Sequence, residues 1–311
     1  MSNYIESDNI DWEQYADDSD ARAKVLPASE FIDELVEQNK NPSGKPGVFL
    51  PWSHTHAHLK FRPGEMTIWS GINSHGKSLL LGQAVMGFMQ QRQRCLVASF
   101  EMLPVNTIGR MVRQASQTDQ YTERFARGWA DWSDDYLWLY NQRGQTDADR
   151  VLAVCEYAHR ELRMNHIVID SMMKVVRGED DYNGQKNLVD RLFAKAQDTG
   201  MHIHLVTHIK KGQDEHTMPN KFGVKGSGSI TDQVDNLLIV WKNKKKIAAR
   251  QAGEMTIDME RDPDAMVIVD KQRNAEGEDA EVSIRLWFHR PSTQYIGGPN
   301  MPPKDMMEFW V

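Results

Sequence analysis

Cysteine is scarce in this chain: Cys95 and Cys155 are the only two in 311 residues. Two thiols make neither a disulfide framework nor a zinc cluster, which points to a reducing compartment. Long apolar runs are missing as well. No window approaches the ~18 consecutive apolar residues of a membrane-spanning helix. The first twenty residues are acidic and hold no apolar stretch, so they are read as neither a secretory signal nor a transit peptide. No internal repeat and no low-complexity tract is visible. With 40% hydrophobic and 26% charged residues, the composition is that of a globular chain. At ~100–200 residues per domain, the length fits one large α/β domain with a short appendage, or two small domains.

The net charge of −7 argues against a polyanionic partner until its placement is considered. Residues 1–40 carry eleven acids and three bases, so the remainder of the chain is slightly positive at +1. Within that remainder, residues 208–250 hold nine Lys or Arg against four Asp or Glu. A basic stretch in a near-neutral body serves a polyanion if it lines one groove, and is a solvated loop otherwise.

Residues 1–26 read as a disordered acidic N-terminus. Pro27 opens an amphipathic run with Phe31, Ile32, Leu35 and Val36 on one face, and a Pro/Gly-rich segment follows. Residues 27–47 are thus a helix and linker, and such a helix must dock on its own domain or on a neighbouring subunit. Residues 48–311 form the main domain. Strands are expected at Met66–Ser70, Cys95–Glu101, Leu137–Tyr140, His166–Asp170 and His202–His208. Helices fall over roughly 78–91, 104–117, 147–163 and 184–199. This alternation predicts an α/β fold, a mainly parallel sheet with helices on both faces. Beyond residue 236, strands at Asn236–Asn243, Met266–Asn274 and Glu281–His289, without long helices between them, are expected to extend the sheet as antiparallel hairpins.

The residues Gly71, Ile72, Asn73, Ser74, His75, Gly76, Lys77 and Ser78 fit the phosphate-loop pattern G-x-x-x-x-G-K-[ST], after a strand and at the start of a helix. Glycines let backbone N–H groups curl around phosphate oxygens, and the helix N-terminus adds a favourable dipole. Lys77 then reaches the β- and γ-phosphates, and Ser78 coordinates Mg²⁺. Asp170, at the end of an apolar strand, is the second candidate for that metal site. Glu101 ends a strand expected beside the phosphate-loop strand, where a carboxylate orients or deprotonates the attacking water. His208, at a later strand end, is placed to touch the γ-phosphate and report its loss, although a single histidine is more often structural.

Ser99, Phe100, Glu101 and Met102 resemble the Ser-Leu-Glu-Met motif of the DnaB-type hexameric replicative helicases. The stretch from Lys225 to Asp235 is similar to that family's Arg-Glu-Ser-Gly-Ser-Ile-Glu-Gln-Asp-Ala-Asp segment. Lys271, Gln272, Arg273 and Asn274 match its Lys-Gln-Arg-Asn signature. A histidine at the sensor position looks more like the phage primase–helicases and Twinkle. The resemblance covers about residues 48–290 and implies a RecA-like motor domain that hydrolyses ATP (or dTTP) with Mg²⁺ between subunits. It implies Glu101 as catalytic base, and Lys271 and Arg273 acting in trans on the neighbour's nucleotide. An arginine finger is worth on the order of 10³–10⁵ in rate, so assembly becomes a condition of activity. It also implies a ring, hexameric in the family, on single-stranded and forked DNA. Lys210, Lys211, Lys225, Gly226, Ser227 and Gly228 would form the DNA loop, with Lys221 adding charge. A separate primase, loader or polymerase is an implied partner, and a cytoplasmic location follows, in a bacterium or in the host of a phage. The chain departs from the family in having about 45 residues where a folded N-terminal domain usually stands, and in Lys225 and Gly226 replacing Arg-Glu.

Other features read as structural. His54, His56 and His58 would share one face of a strand, a conceivable metal site, but they lack acid or thiol neighbours. Trp129, Trp132, Trp138, Met172 and Met173 are expected to pack. Lys242, Lys244, Lys245 and Lys246 are as well suited to a solvated edge as to DNA. Two rival readings stay open: a RecA-like recombinase filament, which the Lys-Gln-Arg-Asn motif disfavours, and an ATP-switched adaptor, which has no need of Glu101.

Overall fold

The computed structural model describes residues 47–308 apart from Glu179, 209–227 and 276–281, together with Tyr4, Ile5, Ser29, Ile32, Asp33, Val36 and Lys40. The expected linker helix therefore lies largely outside the described residues. The central strands are β2 (Met66–Ser70), β3 (Cys95–Ser99), β4 (Leu137–Tyr140), β5 (His166–Asp170), β6 (His202–Val206) and β7 (Asn236–Lys242). With β1 (Tyr4–Ile5), β8 (Ala265–Gln272), β9 (Val282–His289) and β10 (Gln294–Ile296) they form one ten-stranded sheet in the order β1-β4-β3-β5-β6-β2-β7-β8-β9-β10. Pairing is parallel from β1 to β7 and antiparallel from β7 to β10. This is the doubly covered parallel sheet with antiparallel extension that the strand–helix alternation predicts.

Helices α1 (Lys77–Gln90), α2 (Pro104–Ser116) and α3 (Glu123–Ser133) cover one face, and α4 (Ala148–Arg160) and α5 (Tyr182–Thr199) cover the other. Strand side chains alternate between the two cores. Cys95, Val97 and Val168 join Leu80, Met111 and Trp129 on the first face, whereas Leu96, Ala98, Ile167 and Ile169 join Leu188 and Leu192 on the second. Local chemistry sets the helix ends. Thr122 and Asp147 accept the N–H groups of Phe125 and Arg150, and Gly200 closes α5 at φ 71°.

Several elements depart from the sequence reading. Strand β3 does not lie beside β2; β5 and β6 stand between them, because the crossover from β2 passes over two positions before the sheet is filled from inside. The acidic N-terminus expected to be disordered contains β1, which pairs with the edge of β4. After β7 the chain forms α6 (Gly228–Gln233) on its N-terminal side and α7 (Lys244–Ala252) and α8 (Ile257–Arg261) before β8, where strands alone were expected. Lys246 is buried there, donating to Asp262 O at 2.6 Å and pairing with Asp264 at 3.1 Å. It is a structural cation and no part of a basic edge. His54 lies in a short 3₁₀ turn, Ser53–Thr55, so the three alternating histidines share no strand face. His56 instead binds Leu50 O at 2.9 Å and stacks on Phe49. Trp129, Trp138 and Met172 are buried as expected. Among the described residues no helix is long and apolar enough to cross a membrane.

Three histidines from adjacent strands, His166, His202 and His204, stack on one another and on Phe88 in the core beneath α1. Their hydrogen bonds fix their protonation. Trp69 Nε1 can only donate, so His204 Nδ1 accepts (3.1 Å), and the His204 Nε2 proton faces His166 Nδ1 at 3.1 Å. Arg62 O can only accept, so His202 Nδ1 carries its proton (2.7 Å) and its Nε2 accepts from the Thr67 hydroxyl. Burial holds all three well toward the neutral form, His202 with a pKa of about 4.

Candidate functional site: a phosphate-loop cleft

The loop between β2 and α1 is folded by its glycines. Gly71 has φ 153° and Gly76 φ 83°, conformations open to glycine. A Cβ at Gly71 would overlap Val240 O, and one at Gly76 would overlap the Tyr295 hydroxyl. The loop is thus shaped by what lies under it as well as by what it is to hold. Lys77 Nζ donates to Gly71 O at 2.7 Å and Ile72 O at 3.0 Å, an ammonium held over the loop. His75 points away from the cleft: it is buried, its Nδ1 accepts the Lys242 N–H at 3.1 Å, and burial beside Lys244, Lys77 and Lys242 lowers its pKa to about 4. Among the eight loop residues, His75 is therefore a strut between the loop and β7.

Helix α1 leaves the loop over the sheet toward β5. The Ser78 hydroxyl donates to Asp170 Oδ2 at 2.6 Å. Burial raises the pKa of Asp170, the Ser78 hydrogen bond opposes this, Glu101 adds to it, and Lys77 and Arg110 counter it. Because β3 pairs with β5 and Ser99 lies opposite Asp170, Glu101 emerges beside Asp170 and not beside the phosphate-loop strand. The Ser171 hydroxyl donates to Glu101 Oε1 at 3.0 Å, and His208 Nε2 lies 4.0 Å from the same oxygen.

These groups line one cleft of about 900 Å³, together with Asn73, Ser74 and Gly76. Helix α2 supplies its other wall. Asn106, Arg110 and Arg113, at i, i+4 and i+7, face the cleft from one side of the helix. Arg113 is tied to Pro291 O (2.8 Å) and Arg290 O (3.2 Å). Sequence reasoning passed over both arginines; the available signal was their helical spacing after Glu101.

Lys271 and Arg273 lie elsewhere. Lys271 pairs with Leu237 near the start of β7, and Arg273 N donates to Asp235 O next to the start of β2. The phosphate loop follows the opposite end of β2, about 13 Å away at ~3.3 Å per residue. Lys271 Nζ donates to Thr231 O (3.0 Å) and Asp232 O (2.7 Å), and Arg273 donates to Asp232 O and Gln233 O, both at 3.0 Å. Asn274, the last residue of that signature, binds Glu65 at 2.8 Å, a structural tie the sequence did not announce. Of the candidate DNA residues, Lys210, Lys211, Lys225, Gly226 and Ser227 lie outside the described residues, and Gly228 opens α6.

The model of the AAA domain family matches residues 58–214. The chain is 24% identical over 209 residues to the DNA helicase/primase of enterobacteria phage T3, a match that covers 60% of this chain and 37% of that protein. Among solved structures, an ATPase domain determined by itself superposes with a TM-score of 0.72 at 14% identity, covering 88% of this chain and 99% of the other. A DnaB-like replicative helicase, solved in a study of its interactions with primase, gives a TM-score of 0.68 at 12% identity, covering 88% and 67%. The chain belongs to the AAA domain family, and its fold is that of the DnaB-type helicase ATPase domains.

Proposed function

We propose that this chain is the motor of a ring-forming replicative helicase, which hydrolyses ATP (or dTTP) between subunits to move along single-stranded DNA and open a duplex. The observation that carries the reading is the cleft itself: Lys77, Ser78, Asp170 and Glu101 converge on it from separate segments of the chain. Lys77 and the N–H groups that begin α1 bind the phosphates. Ser78 Oγ and the Asp170 carboxylate are adjacent hard oxygens that would hold Mg²⁺, which supplies charge neutralisation across the β- and γ-phosphate oxygens. Glu101, steadied by Ser171, accepts the proton of the attacking water. Arg110 on α2 adds positive charge at the same wall.

The position of Lys271 and Arg273 at the far end of the strands supports a role on another subunit's nucleotide, and hence a ring, six-membered in the family this chain resembles. Residues 209–227 run from His208 at the cleft to α6. On this reading they form the DNA loop, with Lys210, Lys211, Lys225, Gly226, Ser227 and Gly228 on phosphates, sequence-independent and salt-sensitive. His208 relays loss of the γ-phosphate to that loop. A primase, loader or polymerase supplied separately completes the machine in a bacterial or phage-infected cytoplasm.

The test is unwinding of a forked duplex with ATP and Mg²⁺, with Lys77→Ala as control. Strand separation that vanishes in the variant is the expected result. Hydrolysis indifferent to single-stranded DNA overturns the motor reading.

A further inference from the structure

The arginine assigned above to the neighbouring site is held by a specific set of groups. Its Nη2 donates to the last carbonyls of α6, Asp232 O and Gln233 O. Its Nη1 lies 3.4 Å from Asp235 Oδ1, and its guanidinium sits 5.6 Å from the centre of the Phe193 ring. Asp235 itself is fixed, since its other oxygen accepts the Met66 N–H at 2.9 Å. Met66 is the first residue of β2, the strand that ends in the phosphate loop. Beneath, Ile230 and Val234 are fully buried and seat α6 on the core. Arg273, by contrast, is 42% exposed. An unheld arginine carries about 2 kcal/mol of rotamer entropy, and a group acting across an interface must be placed within about 0.5 Å.

We propose that Asp235 is the positioning residue for Arg273. Its carboxylate, anchored on the first N–H of β2, and the terminal carbonyls of α6 together aim the guanidinium at the neighbour's nucleotide. Because α6 closes the segment assigned to DNA, a shift of α6 moves the arginine and reaches a nucleotide that this subunit does not bind. The inference rests on the trans role of Arg273 proposed above, and the experiment separates the two.

Asp235→Asn keeps an oxygen for Met66 N–H and replaces the other with an amide that cannot accept from the guanidinium. Turnover should fall ten- to hundredfold, less than the loss of about 10³ or more for Arg273→Ala, with KM for ATP unchanged. The decisive readout is subunit mixing. Lys77→Ala mixed with Arg273→Ala should recover hydrolysis, because one interface then holds an intact loop and an intact arginine. Asp235→Asn should recover with Lys77→Ala and fail to recover with Arg273→Ala. The reverse pattern, recovery with Arg273→Ala alone, would show Asp235 serving its own site and overturn the inference while the trans reading stands. Failure of the control pair overturns both. If Asp235→Asn does not fold, Phe193→Leu, which removes the ring under the guanidinium, should give a smaller loss and the same mixing pattern.

Discussion

Lowering the pH from 7 to 5 should loosen this domain through its three stacked histidines. His166, His202 and His204 are almost fully buried, and each hydrogen-bond network requires the neutral ring. Their folded pKa values are depressed, so the unfolded chain takes up protons first. The stability they contribute is full above the ordinary imidazole value of 6.5 and is lost as pH falls below it. Each pH unit below 6.5 costs about 1.36 kcal/mol per histidine that must stay neutral, or ~2 kcal/mol each at pH 5. For His202, with a folded pKa of about 4, the loss ends near that pH. Asp170 and Asp235, whose carboxyls are shifted upward by burial, work in the opposite direction, so the total slope alone is not diagnostic. A difference measurement is. His204→Gln keeps one acceptor for Trp69 and one donor toward His166 but cannot titrate. Urea unfolding followed by tryptophan fluorescence at pH 7, 6 and 5 should show the variant losing ~2 kcal/mol less than the wild type over that range, even if it starts about 1 kcal/mol weaker. Identical slopes for the two proteins would refute the argument.

Two further outcomes can be checked at the cleft. Glu101→Gln should bind ATP normally in an equilibrium titration yet turn it over about 10²–10⁴ times more slowly, and unchanged turnover removes Glu101 as the base. Gly76→Ala should lower Tm and weaken nucleotide binding, because its Cβ meets the Tyr295 hydroxyl at a φ of 83°. Adding Tyr295→Phe to Gly76→Ala should recover part of the Tm, and no recovery would mean that backbone strain alone is at fault.

What could be read in advance depended on how local the chemistry is. The phosphate loop is contiguous, so its residue types and spacing announce it. Asp170 and Glu101 announce themselves as acids closing apolar strands, but their neighbours do not: sheet order depends on which positions a crossover skips, and β3 came to lie beside β5. Arg110 and Arg113 were missed because arginines on a helix with a polar side read as solvated until the other wall of the cleft is known. Lys246 misled in the opposite sense, since only the fold brings the carbonyl of Asp262 and the carboxylate of Asp264 around it. Helices α7 and α8 sit in a stretch with little apolar periodicity, and capping by Asn243 and Thr256 was the signal left unread.

The helix that carries the phosphate loop is clamped from far along the chain. Gln83 donates to Tyr295 O and accepts its N–H, a span of 212 residues, and Gln90 donates to Asp305 O and Glu308 O. During synthesis the loop at 71–78 therefore emerges long before the segment that braces its helix. The nucleotide site is completed by residues made more than two hundred positions later. A nascent or carboxy-terminally trimmed chain would carry every phosphate-binding residue and still lack a rigid place to put the phosphate.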